Sequence, residues 1–406
     1  MTKKNNLVSV IVIWTLITLF YCYQYILRLL PNVIMPELME KFSIGASEFG
    51  DFAGIYYIGY ILMQIPMGLL LSRFGGKNIL PISILIAALG SLPMASGDDW
   101  QLVILGRFMI GVGTSAAIVG AFQIFRAIFP QHFSRMIGAL VCVGLLTAIY
   151  ISKPLAMIAH TVGFQEMVYI LVISGAILAL VTYLTLPKMP GSKNANVIAD
   201  IKEIITNKKL LIISLLAGLM IAPLEGFADA WGTAFIRVIY NIERHSADSI
   251  ISVILIGMCI GSLILPYLAE KTKSSYGVTL SSGIIMAFCF GFMLTGMGDT
   301  FTLYVISLMI GICSAYQVVI ISYISTFVKL PLSGMAAAVS NMIIMAFGYF
   351  FHKTIAAVIE NSSEVMIINS APVYSYNAYI WGIAVIPMAM LIAVIGFSTA
   401  MIKDRK

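Results

Sequence analysis

Charge is what this sequence lacks. Only 10% of its 406 residues are Asp, Glu, Lys or Arg, against roughly 25% in an ordinary soluble chain. That deficit excludes a water-facing surface over most of the molecule. Cysteine is nearly missing as well. Cys22, Cys142, Cys259, Cys289 and Cys313 fall singly inside apolar runs, without metal-ligand spacing, and read as small, reduced packing residues. A phosphate-binding loop is missing: Gly75-Gly76-Lys77-Asn78 has neither the spacing nor the Ser/Thr. No His/Cys cluster and no nucleophile–base pair stand out. Neither an ATP-driven machine, nor an intramembrane enzyme, nor a resident cofactor or metal is therefore expected.

What the sequence has is hydrophobicity, 60% of residues, in runs of roughly 20 that recur along nearly the whole chain, each long enough to cross a bilayer. Backbone groups in lipid must satisfy one another, so such runs are helices. Membrane strands would alternate over about ten residues, and these runs do not. The spacing predicts twelve spans, at 7–36, 48–72, 77–97, 100–129, 135–160, 165–187, 209–240, 247–270, 276–297, 300–328, 333–358 and 377–402. The start, Met1-Thr2-Lys3-Lys4 before an apolar run, has the look of a signal peptide. The run is too long for one, carries Arg28 and shows no small-residue cleavage site, so it reads as the first span. The polar stretch 188–208 divides the chain into two six-helix bundles, 1–187 and 209–406, around a cytoplasmic linker.

Charge sets the orientation. Seventeen of the 24 Lys and Arg residues fall on the side of the termini, the linker and the loops that follow even-numbered spans. The acids of that side are Asp200, Glu203, Glu270 and Asp404, while Glu37, Glu40, Asp98, Asp99, Glu243, Asp299, Glu360 and Glu364 are among those opposite. Lys and Arg stay cytoplasmic, which puts both termini in the cytoplasm of a cell bounded by an inner membrane. The net charge of +6 is then topology, and nucleic acid is not an expected partner. A weak repeat reinforces the division. Adding about 198 takes Gly59 to Gly257, Ser72 to Glu270 and Arg73 to Lys271, with Ser47 one place from Ser246. Parallel repeats of this kind build two-bundle transporters.

Four stretches carry a family resemblance. Gly68-Leu-Leu-Leu-Ser72-Arg73-Phe-Gly75-Gly76-Lys77 resembles the loop signature G-x-x-x-D-R-x-G-R-K of the major facilitator superfamily, with Ser72 in place of its Asp and Gly76 in place of an Arg. Glu270-Lys271 looks like a degenerate copy in the second half. Arg107-Phe-Met-Ile-Gly111-Val-Gly113 resembles R-x-x-x-G-x-G. The segments 129–135 and 334–341 are similar to family loops and the start of span 11. The resemblance implies twelve helices in two bundles, secondary transport, a usually monomeric carrier and a gating loop made by Gly68, Arg73, Gly75, Lys77, Glu270 and Lys271. The departure at Ser72 puts the family's usual gating salt bridge in doubt. Span 5 has Ser152-Lys153-Pro154 where drug/proton antiporters carry G-P-x-x-G-G, which tilts against efflux.

Ionisable residues inside spans cost roughly 3 kcal/mol or more at mid-membrane unless paired or hydrated, so each is a functional candidate. In span 1, Tyr21, Gln24, Tyr25 and Arg28 share one helix face. Arg28 lies eight residues before Pro36, about 12 Å along a helix, deeper than an interfacial anchor, though snorkelling is the alternative. A guanidinium fork suits a carboxylate or phosphate. This stretch resembles span 1 of organophosphate and organic-anion transporters, whose matching Arg binds the anionic group. Phosphate-ester carriers use a second Arg in span 7, but Glu225 stands near that place here, in Glu225-Gly-Phe-Ala-Asp229-Ala-Trp231. An Arg with a Glu suits a zwitterion: carboxylate to Arg28, ammonium to Glu225, with Trp231 nearby. Two other readings stay open. Glu225, Asp229 or Arg107 serves proton coupling, or Arg28 and Glu225 pair statically. Lys153, Gln123, Tyr316, Gln317 and Asn341 are secondary cavity candidates, each also explained by hydrogen bonds between helices.

The expectation is a proton-coupled importer of a small carboxylate-bearing solute, most simply an amino acid, since spans 1, 2 and 7 resemble the phagosomal amino-acid transporter branch. The alternatives are an exchanger or exporter of organic anions, metabolites or siderophores, and a non-transporting membrane sensor.

Overall fold

The computed structural model describes residues 3–44, 46–188, 197–362, 366–368, 371–373 and 375–404. Lys193, Glu364, Arg405 and Lys406 of the charge map, and residues 189–196 of the linker, lie outside the described residues. The chain is nearly all helix, and twelve helices are long and apolar enough to cross a membrane, the number read from the sequence. Span 1 is Lys3–Val33, span 2 Ala46–Phe74, span 3 Gly76–Ser96 and span 6 Phe164–Thr185. Span 8 is Arg244–Thr272, span 9 Ser275–Leu294, span 11 Ser333–Asn361 and span 12 Tyr376–Asp404. The remaining four are broken. Span 4 is Trp100–Thr114 plus Ala116–Ile128, span 5 Phe133–Tyr150 plus Ser152–Val162, and span 10 Thr300–Ser314 plus Tyr316–Ile324. Span 7 runs as Lys208–Gly218, a π-helix Pro223–Trp231, and Gly232–Tyr240. The linker carries a short helix, Val197–Ile205. A two-stranded antiparallel ladder before span 12 pairs Met366 with Val373 and Ile368 with Ala371; hydrophobicity alone gave no hint of it.

The chain forms two compact units. The first is Met1–Thr206 with Ser325–Val339, and the second is Asn207–Ile324 with Ser340–Lys406. Each has a span at its heart. The most apolar window of span 4 is 61% buried and that of span 10 is 72% buried, which makes them interior helices. Span 6 and span 12 instead leave Ile173, Ile177, Leu180, Leu391, Ile392 and Ile395 more than half exposed, a surface suited to lipid.

The same crossing recurs in both units. A Cβ at Gly111 would run into the carbonyl oxygen of Tyr56, and one at Gly311 into that of Ile254. Reciprocally, a Cβ at Gly59 would meet the Phe108 oxygen, and one at Gly257 the Leu308 oxygen. Spans 2 and 4, like spans 8 and 10, therefore approach backbone to backbone, as small residues permit in membranes. Local chemistry repeats with the packing. Asp99 caps span 4 by accepting from the Gln101 N–H at 2.9 Å. Asp299 caps span 10 by accepting from the Thr302 N–H at 2.9 Å and its hydroxyl at 2.6 Å. Those bonds from Thr302 hold the Asp299 carboxyl below the usual carboxylate range. Immediately before each break, the Thr114 hydroxyl donates to the Ile110 carbonyl and that of Ser314 to the Ile310 carbonyl, both at 2.8 Å. Such back-bonding competes with the helical ladder and bends it.

Candidate functional site

In the first unit, span 1 carries the polar face expected of it. Tyr21 is buried, its ring edge-on to Tyr25 with centroids 5.3 Å apart. Both rings lie over Gly144 of span 5, where a Cβ would come within 2.8 Å of the Tyr25 ring. Gln24 is buried at 5% exposure. Arg28 remains half-buried. Its Nε donates to the Tyr57 hydroxyl at 3.3 Å, and its guanidinium carbon stands 5.2 Å from the centre of the Tyr57 ring, a cation–π distance. Span 2 thus completes the face with Tyr57, Tyr60 and Gln64. The Tyr60 hydroxyl lies beside the Gln24 and Gln64 amides. Gln24 Oε1 and both amide atoms of Gln64 are buried without a well-formed hydrogen bond among the described residues. Buried amides of this kind offer donors and acceptors to a polar solute. Sequence reasoning missed the span 2 residues. Their signal was Tyr57, Tyr60 and Gln64 at i, i+3 and i+7 in an apolar helix, one face by helical spacing.

Arg107 is buried at 2% exposure. Pro31 lies inside span 1 and has no N–H, so the carbonyl four residues earlier loses its helical donor. That carbonyl belongs to Leu27, and Arg107 Nη1 donates to it at 2.7 Å. Nη2 donates to the Arg28 carbonyl at 2.9 Å. Below, the guanidinium carbon stands 4.7 Å from the Tyr56 ring centre and 5.6 Å from that of Phe52. A membrane arginine is thereby held by two carbonyls and two aromatic faces, and it fixes the backbone of the residue that presents Arg28.

In the second unit, span 7 leaves the α-helix after Gly218. The Tyr316 hydroxyl donates to the Ala217 carbonyl at 2.6 Å just where the helix ends. Tyr316 is fully buried and Gln317 is 9% exposed, so both belong to the interior of span 10. The π-helix that follows holds Glu225, Asp229 and Trp231. Glu225 and Trp231 are half-buried. The Asp229 side chain is 70% exposed, and its Oδ2 lies 3.7 Å from His352 Nε2 of span 11. His352 was not anticipated, because a lone histidine in an apolar run carries no spacing signal. Asn341 is half-buried.

The loop residues sort differently. Gly75 has φ 79° and ψ 156°, backbone that a side chain would strain. Lys77 Nζ donates to the Leu186 carbonyl at 2.7 Å and lies 5.3 Å from the Tyr183 ring, so it caps the C-terminus of span 6. Arg73 is exposed beside the Phe74 ring. Ser72, where the family has Asp, is buried and donates to the Leu69 carbonyl at 2.8 Å. Inside the first unit a Cβ at Gly68 would come within 2.9 Å of Met335 Cα. Glu270 is half-buried and Lys271 exposed at the end of span 8. Gln123 is half-buried against Gly334, whose Cβ would lie 3.2 Å from its Oε1. Lys153 is exposed on the second segment of span 5.

Comparison with known proteins bears on this arrangement. Curated relatives match about half the chain. An uncharacterized transporter of Buchnera aphidicola is 26% identical over 202 residues, 48% of this chain and 50% of that one. A quinolone resistance transporter of Acinetobacter baumannii is 27% identical over 179 residues, 42% of this chain and 41% of that one. The chain spans about half the length of such relatives or less. Among solved structures, the transporter FucP in its outward conformation superposes with a TM-score of 0.74 over 96% of this chain and 99% of FucP, at 14% identity. A point variant of the E. coli fucose:proton symporter FucP gives 0.73 at the same coverage and identity. That likeness establishes the shared fold. The family description Major Facilitator Superfamily matches residues 16–352, which takes in the polar face of span 1, the span 2 loop, Arg107 and the π-helix of span 7. The chain belongs to the Major Facilitator Superfamily.

Proposed function

We propose that the protein is a secondary active transporter that moves a small carboxylate-bearing solute, an amino acid in the simplest case, across the bacterial inner membrane by alternating access, importing it with protons. It works as a monomer with both termini in the cytoplasm. One observation carries the reading: Arg28 stands half-buried on a polar face of tyrosines and amides, its Nε on the Tyr57 hydroxyl, while Arg107 holds its carbonyl. A fixed fork on a face that also offers hydroxyls and amides is suited to a solute carboxylate. Glu225, on the π-helical segment of the second unit, supplies the opposite charge for an ammonium, and Glu225 or Asp229 carries the proton. Lipid is the remaining partner.

The test is uptake of a labelled amino-acid panel into proteoliposomes, with and without a proton gradient. Gradient-driven accumulation of at least one zwitterion is expected; none across the panel sinks the reading. Arg28→Lys is expected to insert normally and lose transport by tenfold or more, because the point charge of Lys lacks the fork. Full transport by that variant removes Arg28 from the substrate's carboxylate. Export is the second reading. The Acinetobacter relative is named for quinolone resistance, and a Bacillus subtilis relative, 25% identical over 216 residues, for methylenomycin A resistance. Solute efflux from inside-loaded vesicles against a gradient distinguishes the two directions.

A further inference from the structure

Two helices of the second unit face each other through a matched pair of rungs. On span 7, Glu225 and Asp229 lie four residues apart within the π-helix. On span 11, Gly348 and His352 lie four apart in an α-helix, one above the other. At the first rung Gly348 makes room for Glu225. A Cβ there would stand 3.0 Å from Glu225 Cβ, 3.3 Å from Cγ and 3.7 Å from Oε2. At the second rung His352 Nε2 stands 3.7 Å from Asp229 Oδ2. Between the rungs, Gly226 lets the backbones close, its Cβ position 3.3 Å from Phe351 Cβ. π-helical turns are rare and concentrate at functional sites, and this one sets Asp229 against a histidine with Glu225 one rung away, against Gly348.

We propose that Glu225, Asp229 and His352 form one proton-binding site on spans 7 and 11, with the His352 imidazole as the group that takes up and returns the proton. This rests on the proton-coupled reading above and adds its titrating residue. The chemistry is an acid–base equilibrium at one atom. Water delivers a proton to Nε2, and the resulting N–H is directed at the Asp229 carboxylate. Loss of that proton to water removes the attraction and leaves a lone pair facing a carboxylate. Histidine is the side chain whose charge changes between about pH 5 and 8 without special tuning. At 33% and 70% exposure, His352 and Asp229 are open enough for proton exchange. Among the described residues, Asp248 of span 8 accepts from the Thr233 hydroxyl one turn beyond Asp229 at 2.8 Å and pairs with Arg244 at 3.8 Å. Glu225 lies one rung away, and Lys353 follows His352 with its ammonium 5.6 Å from the Tyr349 ring centre. Arg237 is exposed two turns farther along span 7. Span 12 meets span 11 here through Gly382 against Ile355 and Ile359, which bring no charge.

The test needs no knowledge of the solute. The full chain, labelled with 13C and 15N at its 4 histidines, is reconstituted in lipid and titrated by NMR. The His352 signal is identified by its loss in His352→Gln. In Asp229→Asn the His352 titration curve is expected to move, because the carboxylate facing Nε2 is gone, while Asp229→Glu restores the wild-type curve. A His352 titration unmoved by Asp229→Asn overturns the proposal, and so does a His352→Gln protein that is as thermally stable as wild type and keeps its pH profile of uptake. If the NMR shift appears while wild-type protein accumulates no amino acid, the transport reading fails and the proton site stands.

Discussion

Spans 4 and 10 follow one plan up to a point. Both begin at an aspartate cap, both cross a neighbour glycine to carbonyl, and both break after a hydroxyl residue, at Ser115 and Ala315. At the next equivalent place the plan divides. Arg107 in span 4 corresponds to Ser307 in span 10, by the same shift of 200 that relates Gly111 to Gly311. The first unit uses its arginine to mend a helix that a proline has opened. The second has no such cation at that place, and its first helix departs into a π-turn whose preceding end is held by Tyr316. The comparison teaches that duplicated packing is held by glycine and backbone, whereas the chemistry has been distributed separately to each copy.

The sharpest way to break the comparison is at the shared crossing. Gly111→Ala and Gly311→Ala each press a Cβ into a backbone oxygen that has no side-chain freedom to yield. Each is expected to cost about 3 kcal/mol, the upper end of ordinary overpacking, read as a drop in thermal midpoint of the detergent-solubilised protein. Equal losses support one plan in two copies, and a loss at only one site refutes it. The next effect tests where the copies part. Arg107→Met leaves the Leu27 carbonyl, which Pro31 deprives of a helical N–H, without its donor, at about 1–3 kcal/mol for a buried group left unpaired, whereas Ser307→Ala is expected to be near neutral. Adding Pro31→Ala returns a helical N–H to the Leu27 carbonyl, so the double variant regains part of the Arg107→Met loss. No regain means the arginine is not serving that carbonyl. The smallest effect concerns the turns after spans 2 and 8. Gly75→Ala strains a φ of 79° and is expected to cost about 1–3 kcal/mol. Lys273→Gly relieves a left-handed lysine at φ 52° and is expected to stabilise by about 1 kcal/mol. The opposite signs are read in the same melting experiment.

Hydrophobic run length made the twelve spans legible, because lipid leaves the backbone no alternative to self-satisfaction. The helix breaks were not legible. Those at Ser115 and Ala315 depend on a hydroxyl turning back on its own backbone, and the π-helix of span 7 depends on Pro223 acting with Tyr316, whose hydroxyl reaches the Ala217 carbonyl 99 residues away in sequence. The face of span 1 could be read because Tyr21, Gln24, Tyr25 and Arg28 lie on one helix. Tyr57, Tyr60, Gln64 and His352 could not be joined to the candidate site in the same way, since helical spacing relates residues within a span and says nothing about which spans meet. Arg107 shows the limit most plainly. Its place in a motif suggested proton coupling, while its contacts follow from a proline in another helix.

Arg107 grips carbonyl oxygens, and every residue type has one. The anchor is therefore indifferent to which side chain stands at position 28. Substitution there can change the charge offered to a solute without loosening the turn that offers it. A descendant of this chain could trade Arg28 for a neutral or acidic residue and keep the same frame, so that selectivity evolves at one position while the architecture around it stays under separate selection.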